Sequence, residues 1–198
     1  MQQAGLVQLH HDFQKFVDSN YYADILENND EVGSILRLQL ISERFLEVYL
    51  QERIPSDALP FFQNGKSKLP KYFNEKLTIA LAYGLPTSLA QALKFLNKIR
   101  NEFGHDFDRK LSQVDIEKYV DAVDKFQYKC AVPYAEGLPL GTVVVQFNSQ
   151  HLTIHSSPVA GFVIATYCLM TRAGIWLVND LNARGLLKTS SIDTPHES

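Results

Sequence analysis

The sequence predicts a mainly α-helical protein: an antiparallel bundle of five to six helices with a small β-hairpin in the C-terminal third. Three observations predict it. Apolar residues recur at spacings of three and four through most of the first 126 positions. Breakers at Asn28-Asn29-Asp30, Pro55, Gly84 and Pro86 cut that pattern into pieces of helical length. Runs rich in β-branched residues gather after Gln127, where Pro133, Gly137, Pro139 and Gly141 punctuate the chain.

The elements follow in order. Residues 6–26 carry Leu9, Phe13, Phe16 and Val17 at helical spacing. Asn28-Asn29-Asp30 ends that helix and caps the next, residues 31–54, whose apolar set includes Ile35, Leu38, Phe45, Val48 and Tyr49. Pro55 stops it, because proline supplies no N–H to the helix ladder. After a loop, residues 72–83 read as a helix with Gly84 as its stop. Pro86-Thr87-Ser88 opens a helix over residues 89–103, with Leu93, Leu96, Ile99 and Phe103 on one face. Gly104 reads as its end or as a close-packing point. Residues 112–126 form an amphipathic helix, with Ser112 as cap and Asp115 in the reciprocal position three residues on. Residues 142–147 and 151–155, with Asn148-Ser149-Gln150 between them, make either a hairpin or an extended wrapping segment. Residues 158–187 form a last, mostly apolar helix with Gly185 near its end. Residues 1–127 are therefore expected to form a helical bundle, and residues 128–198 an extension packed on it.

The chain has 198 residues, 45 % of them apolar and 21 % charged, enough to bury a core without metal or disulfide. Cys130 and Cys168 lack the spacing of a zinc or redox pair and read as free thiols. No apolar signal core opens the sequence, and the uncharged run 156–171 is shorter than the ~20 residues a spanning helix needs. A cytoplasmic protein with no membrane contact is expected. The net charge of −3 excludes binding through an extended basic surface, so any nucleic acid is held locally.

The segment Leu96-Asn97-Lys98-Ile99-Arg100-Asn101-Glu102-Phe103-Gly104-His105-Asp106 concentrates the polar chemistry, with Arg100-Asn101-Glu102-Phe103-Gly104-His105 as its signature. A guanidinium matches two phosphate oxygens at once, and an imidazole exchanges protons near neutrality. Together they suffice in kind for metal-free RNA cleavage. Positions five apart on an ideal helix are turned by roughly 140°, so Arg100 and His105 do not share a face. Either Gly104 redirects the backbone or a second subunit completes the site. The plain alternative is that these side chains cap carbonyls or pair with Glu102, Asp106 or Asp108. His151 and His155 stand four apart without a third ligand, and no cofactor motif is present, so neither metal nor cofactor is expected. His10-His11 reads as a solvated helix start. Lys66, Lys68, Lys71 and Lys76, opposed by Glu75, read as a solvated loop or a small RNA-facing patch.

Arg-Asn followed by three residues and His resembles the signature of the HEPN superfamily (higher eukaryotes and prokaryotes nucleotide-binding). Val114-Asp115-Ile116 follows it; the run Leu38-Gln39-Leu40-Ile41-Ser42-Glu43-Arg44-Phe45-Leu46-Glu47 precedes it, as does Phe73-Asn74-Glu75-Lys76-Leu77-Thr78-Ile79-Ala80-Leu81-Ala82-Tyr83-Gly84-Leu85. The latter is similar to the corresponding helix of MltR-type proteins, named for a mannitol operon repressor. The resemblance spans about residues 30–126. It implies a helical bundle, a homodimer, and a metal-independent ribonuclease of a toxin–antitoxin or phage-defence system, with an antitoxin or regulatory protein as partner. Arg100 then contacts the phosphate, His105 acts as acid or base, and Asn101 orients the site or binds substrate. The MltR-type members imply instead a transcriptional regulator acting through protein contacts.

Overall fold

In the computed structural model of the chain, the residues described are 14–28, 30–62, 69–106, 108–127, 138–147 and 149–186. They form a mainly α-helical bundle with one two-stranded antiparallel hairpin. The α-helices are α1 (Gln14–Val17), α2 (Ser19–Glu27), α3 (Glu31–Arg53), α4 (Phe73–Ala82), α5 (Thr87–His105), α6 (Gln113–Asp124) and α7 (Pro158–Ala183). Asp18 interrupts the first expected helix and caps α2, its carboxylate accepting the Asn20 N–H at 3.0 Å. With the single turn α1 joined to α2, the count is six.

Local chemistry sets the ends. Ser112 and Asp115 form a reciprocal capping box at the start of α6. Ser157 caps α7 by accepting the Ala160 N–H, and Pro158 fills the first helical position, where no N–H is needed. At the end of α4, Gly84 adopts φ +100°. The Leu85 N–H then reaches back to Ala80 O and the Gly84 N–H to Leu81 O, which satisfies two terminal carbonyls. Gly185, at φ +68°, ends α7 in the same way, so that helix stops at Ala183 rather than running on to 187.

The core runs through α7. It packs against α1, α2, α3 and α6, and is buried on several sides by residues such as Phe162, Val163, Ile164, Leu169, Met170 and Leu177. By length and composition α7 could also cross a membrane, yet 72 % of its most apolar window is buried inside the fold. Aromatic pairs lock it in place: Tyr119–Phe162 at 4.7 Å between centroids, Tyr22–Tyr167 at 5.0 Å, Tyr49–Trp176 at 5.6 Å. Burial pushes the phenols of Tyr22 and Tyr119 upward, so both stay neutral in the core. Gly161 admits the approach of α6 and the loop before α7. A Cβ there would lie 2.5 Å from Ile154 O and 2.8 Å from Ile116 Cγ2.

Of the two readings of the segment after Gly141, the hairpin is the one formed. β1 (Val145–Phe147) pairs with β2 (Gln150–Leu152), with Phe147 opposite Gln150. Gln150 thus belongs to a strand, and the turn carries Ser149 at φ 67°. Arg172 ties this region to the bundle: its guanidinium donates to Leu138 O at 2.8 Å and Val123 O at 3.3 Å, and meets Asp124. Asp124 in turn accepts the Leu140 N–H.

Candidate functional site

The site is built on α5. Its buried face carries Leu89, Leu93, Leu96, Ile99 and Phe103, which fix the helix against the core. Arg100 and His105 are exposed on the other side, and Asn101 is partly buried between them. The helix runs without a break through Gly104 to His105. Gly104 is exposed, and a Cβ on it would meet nothing within 4 Å. It lies in the last turn, one residue before the helix ends; it is therefore not a close-packing point, and it does not redirect the backbone. Arg100 and His105 keep the angular separation of an ideal helix.

They accordingly open onto two different grooves. One, of about 630 Å³, is lined by Lys94, Lys98, Glu102, His105 and Arg109. The other, of about 310 Å³, holds Arg100 with Glu43, Lys71 and Tyr72. Asn74, Asn97 and Asn101 line both grooves and form the ridge between them.

The electrostatics separate committed charges from uncommitted ones. Glu102 takes Arg109 at 3.1 Å and Lys98 at 3.6 Å. Arg109 also binds Asp115 at 2.8 Å, and that bond, with the one to Glu102, raises the guanidinium pKa further. Burial alone would raise the Asp115 carboxyl; the hydrogen bonds from Ser112 and Arg109 hold it below its usual range. Beneath the second groove, Lys76 is buried, with Nζ 2.7 Å from Glu43 and 2.6 Å from Glu47. It is thus not part of a solvated lysine patch; Lys71 is exposed beside the Tyr72 ring, and Lys66 and Lys68 lie outside the described residues. Arg100, by contrast, makes one side-chain bond, Nη1 to the Asn101 Oδ1 at 3.0 Å. Among the described residues neither Arg100 nor His105 enters an ion pair, so the acids proposed from sequence as their partners are engaged elsewhere or apart from them.

Sequence reasoning named Asn74, Asn97 and Lys98 without giving them a role, and missed Lys94 and Arg109. One signal was present: Asn97, Asn101 and His105 stand at successive spacings of four, which puts them along one side of a helix. Arg109 and Asn74 come from outside α5 and had no such signal. Cys168 is partly buried, and desolvation pushes its thiol up to about 11, which suppresses the nucleophilic thiolate. Cys130 and His10-His11 lie outside the described residues. Among the described residues no group of three His, Cys, Asp or Glu is arranged to hold a metal ion. Comparison with protein-family models, curated proteins and solved structures finds no match to this chain.

Proposed function

We propose that the chain is a HEPN-type, metal-independent RNA-cleaving protein of a toxin–antitoxin or phage-defence system, acting as a cytoplasmic homodimer. The observation that carries this reading is the uncommitted state of Arg100 and His105. Both are exposed beside grooves and free of ion pairs among the described residues, while Lys76, Lys98 and Arg109 close by are all engaged. An unpaired guanidinium is available to phosphate, and an accessible imidazole to a proton.

In the reaction, His105 takes the proton of a ribose 2′-OH as the oxygen attacks phosphorus. Arg100 stabilises the charge on the pentacoordinate phosphorus. The bond to the 5′-oxygen breaks, and that oxygen leaves with a proton drawn from water, while the His105 imidazolium returns its own proton to solvent and regenerates the base. The products are a 2′,3′-cyclic phosphate and a 5′-hydroxyl. Because Arg100 and His105 of one chain open onto different grooves, the dimer supplies Arg100 from one copy and His105 from the other. An apolar stripe on α3 supports a second copy: Val32, Leu36 and Leu40 are 45 %, 39 % and 61 % exposed at spacings of four, and Leu40 borders the Arg100 groove.

The test is purified protein with total RNA, with and without chelator. Wild type should cleave in both conditions and leave cyclic phosphate ends. His105→Ala should abolish cleavage, and Arg100→Ala should reduce it by ~10²–10³. Arg100→Lys should restore activity only in part, since an ammonium lacks the two-pronged geometry. Wild type that cleaves nothing overturns the reading. An MltR-like regulator acting through protein contacts then takes its place, a role that the same α3 stripe and the net charge of −3 favour.

A further inference from the structure

We infer that Asn97 reads the edge of an unpaired nucleobase seated on the ridge between the two grooves. The inference rests on the RNA-cleaving reading of the same helix. Asn97 is 8 % exposed, yet its carboxamide makes no hydrogen bond with another described residue. Among the described residues the side-chain atoms left both dry and without a hydrogen-bond partner are those of Gln51, Arg53 and Thr171, so the Asn97 oxygen and nitrogen still reach solvent and stand open to a ligand. The residual exposure of Asn97 faces the grooves, which it lines on both sides together with Asn74 and Asn101. Asn101 is partly committed, its oxygen accepting from Arg100. Asn97 therefore presents an adjacent acceptor and donor in a sheltered, slightly open position.

That pairing matches the donor–acceptor edge of a base, adenine foremost, whose exocyclic amine and ring nitrogen an asparagine takes together. Duplex bases in A-form RNA do not offer this edge to a side chain, so the ligand is single-stranded and unstacked. Lys94 stands on the rim of the larger groove, where the flanking phosphates would run. His105 lies two turns further along the same side of α5, so a base on Asn97 fixes which phosphate comes to the imidazole. Asn97 is a positioning residue in this account and takes no part in proton transfer.

The experiment measures binding of four ten-nucleotide homopolymeric RNAs by fluorescence anisotropy, in parallel with mapping of cleavage ends on a mixed-sequence RNA. Wild type, Asn97→Leu and the isosteric Asn97→Asp are compared, each checked by thermal melting. Wild type should prefer the adenine oligomer by about ten-fold, and both variants that melt like wild type should lose that preference while retaining the common affinity. Cleavage ends should lie next to adenine in wild type and scatter in the variants. Equal loss of affinity for all four oligomers would mark Asn97 as merely structural and overturn the inference. So would cleavage by wild type without base preference, in which case the nuclease reading stands alone. Adenine preference without cleavage would keep the base-reading site and reject the nuclease.

Discussion

Lys76 and Arg172 are the charged side chains buried deepest among the described residues, and each is held by acceptors distant in sequence. For Lys76, burial alone would depress the ammonium pKa, but the hydrogen bonds and charges of Glu43 and Glu47 raise it above the ordinary 10.5. Glu47 has the complementary balance: burial alone would raise its carboxyl, but Lys76 and Arg44 hold it below the ordinary 4.5. The signs fix the pH window. A raised lysine contributes stability below its unfolded pKa and loses it as pH climbs through the folded value. A lowered carboxylate contributes above its unfolded pKa and loses it as pH falls through the folded value. The Lys76–Glu47 pair therefore stabilises fully between about pH 4.5 and 10.5. Lys76→Met should cost about 1–3 kcal/mol at pH 7, less than for a fully dry pair because both carboxylates keep an edge toward water. Glu47→Gln should lower the melting temperature at pH 7 and flatten its decline below pH 4.5. Melts of the variant that track wild type in parallel down to low pH would contradict this account.

At the scale of elements, two glycines do unlike work. Gly84 supplies a left-handed residue at the end of α4, and its φ of +100° turns the chain so that Tyr83 O points at α3. That carbonyl accepts the Tyr49 hydroxyl at 2.9 Å and the Arg53 guanidinium at 2.7 Å. Gly84→Ala should cost about 1–2 kcal/mol, the strain of a Cβ in that conformation. Gly161 sits inside a helix, where its backbone freedom is of no use; it is there for space. Gly161→Ala should cost about 1–3 kcal/mol by overpacking, because backbone at Ile154 cannot give as a flexible side chain would. Chemical denaturation of the two variants measures both losses. A neutral Gly161→Ala would show that α7 does not bear on Ile154 and Ile116 as closely as described.

At the scale of the molecule, α7 is the element against which most others are laid. Trp176→Ala removes a buried indole packed on Tyr49 and should cost about 3–5 kcal/mol. Deletion after Ser157 should give a chain that aggregates or melts without cooperativity; one that stays soluble and melts as wild type does would refute the central role of α7. Assembly has its own test. If Arg100 and His105 act across a dimer, Arg100→Ala and His105→Ala are each inactive, but their mixture forms hybrids with one intact site. Equal mixing after dissociation and reassociation should restore about a quarter of wild-type activity, since half the dimers are hybrids with one live site of two. No restoration in a sample that light scattering shows to be dimeric would place both residues in the same chain's site.

Much of this architecture was legible along the chain. Helix limits follow from side chains within four residues of each other: Ser112 with Asp115, Gly84 after Tyr83, Pro158 after Ser157. Such interactions close locally, so sequence order already contains both partners. The helical path through Gly104 was not legible, because glycine both ends helices and passes unnoticed within them, and the surroundings decide. Nor was the hairpin, whose two short strands carried equal weight with an extended segment. The apolar length of α7 showed that it must be covered, not which helices would cover it, since a helix apolar on most sides has no single face to read. The candidate site divides in the same way. The spacing of Asn97, Asn101 and His105 along one helix was set by sequence alone. That Lys76 would leave the lysine-rich loop for Glu43 and Glu47, that Arg109 would take up Glu102, and that Arg100 would be left uncommitted, were decided only when α3, α4, α5 and α6 came together. Those partners lie up to 33 residues apart in the chain, and which charges find one another across such distances depends on how the apolar faces pack.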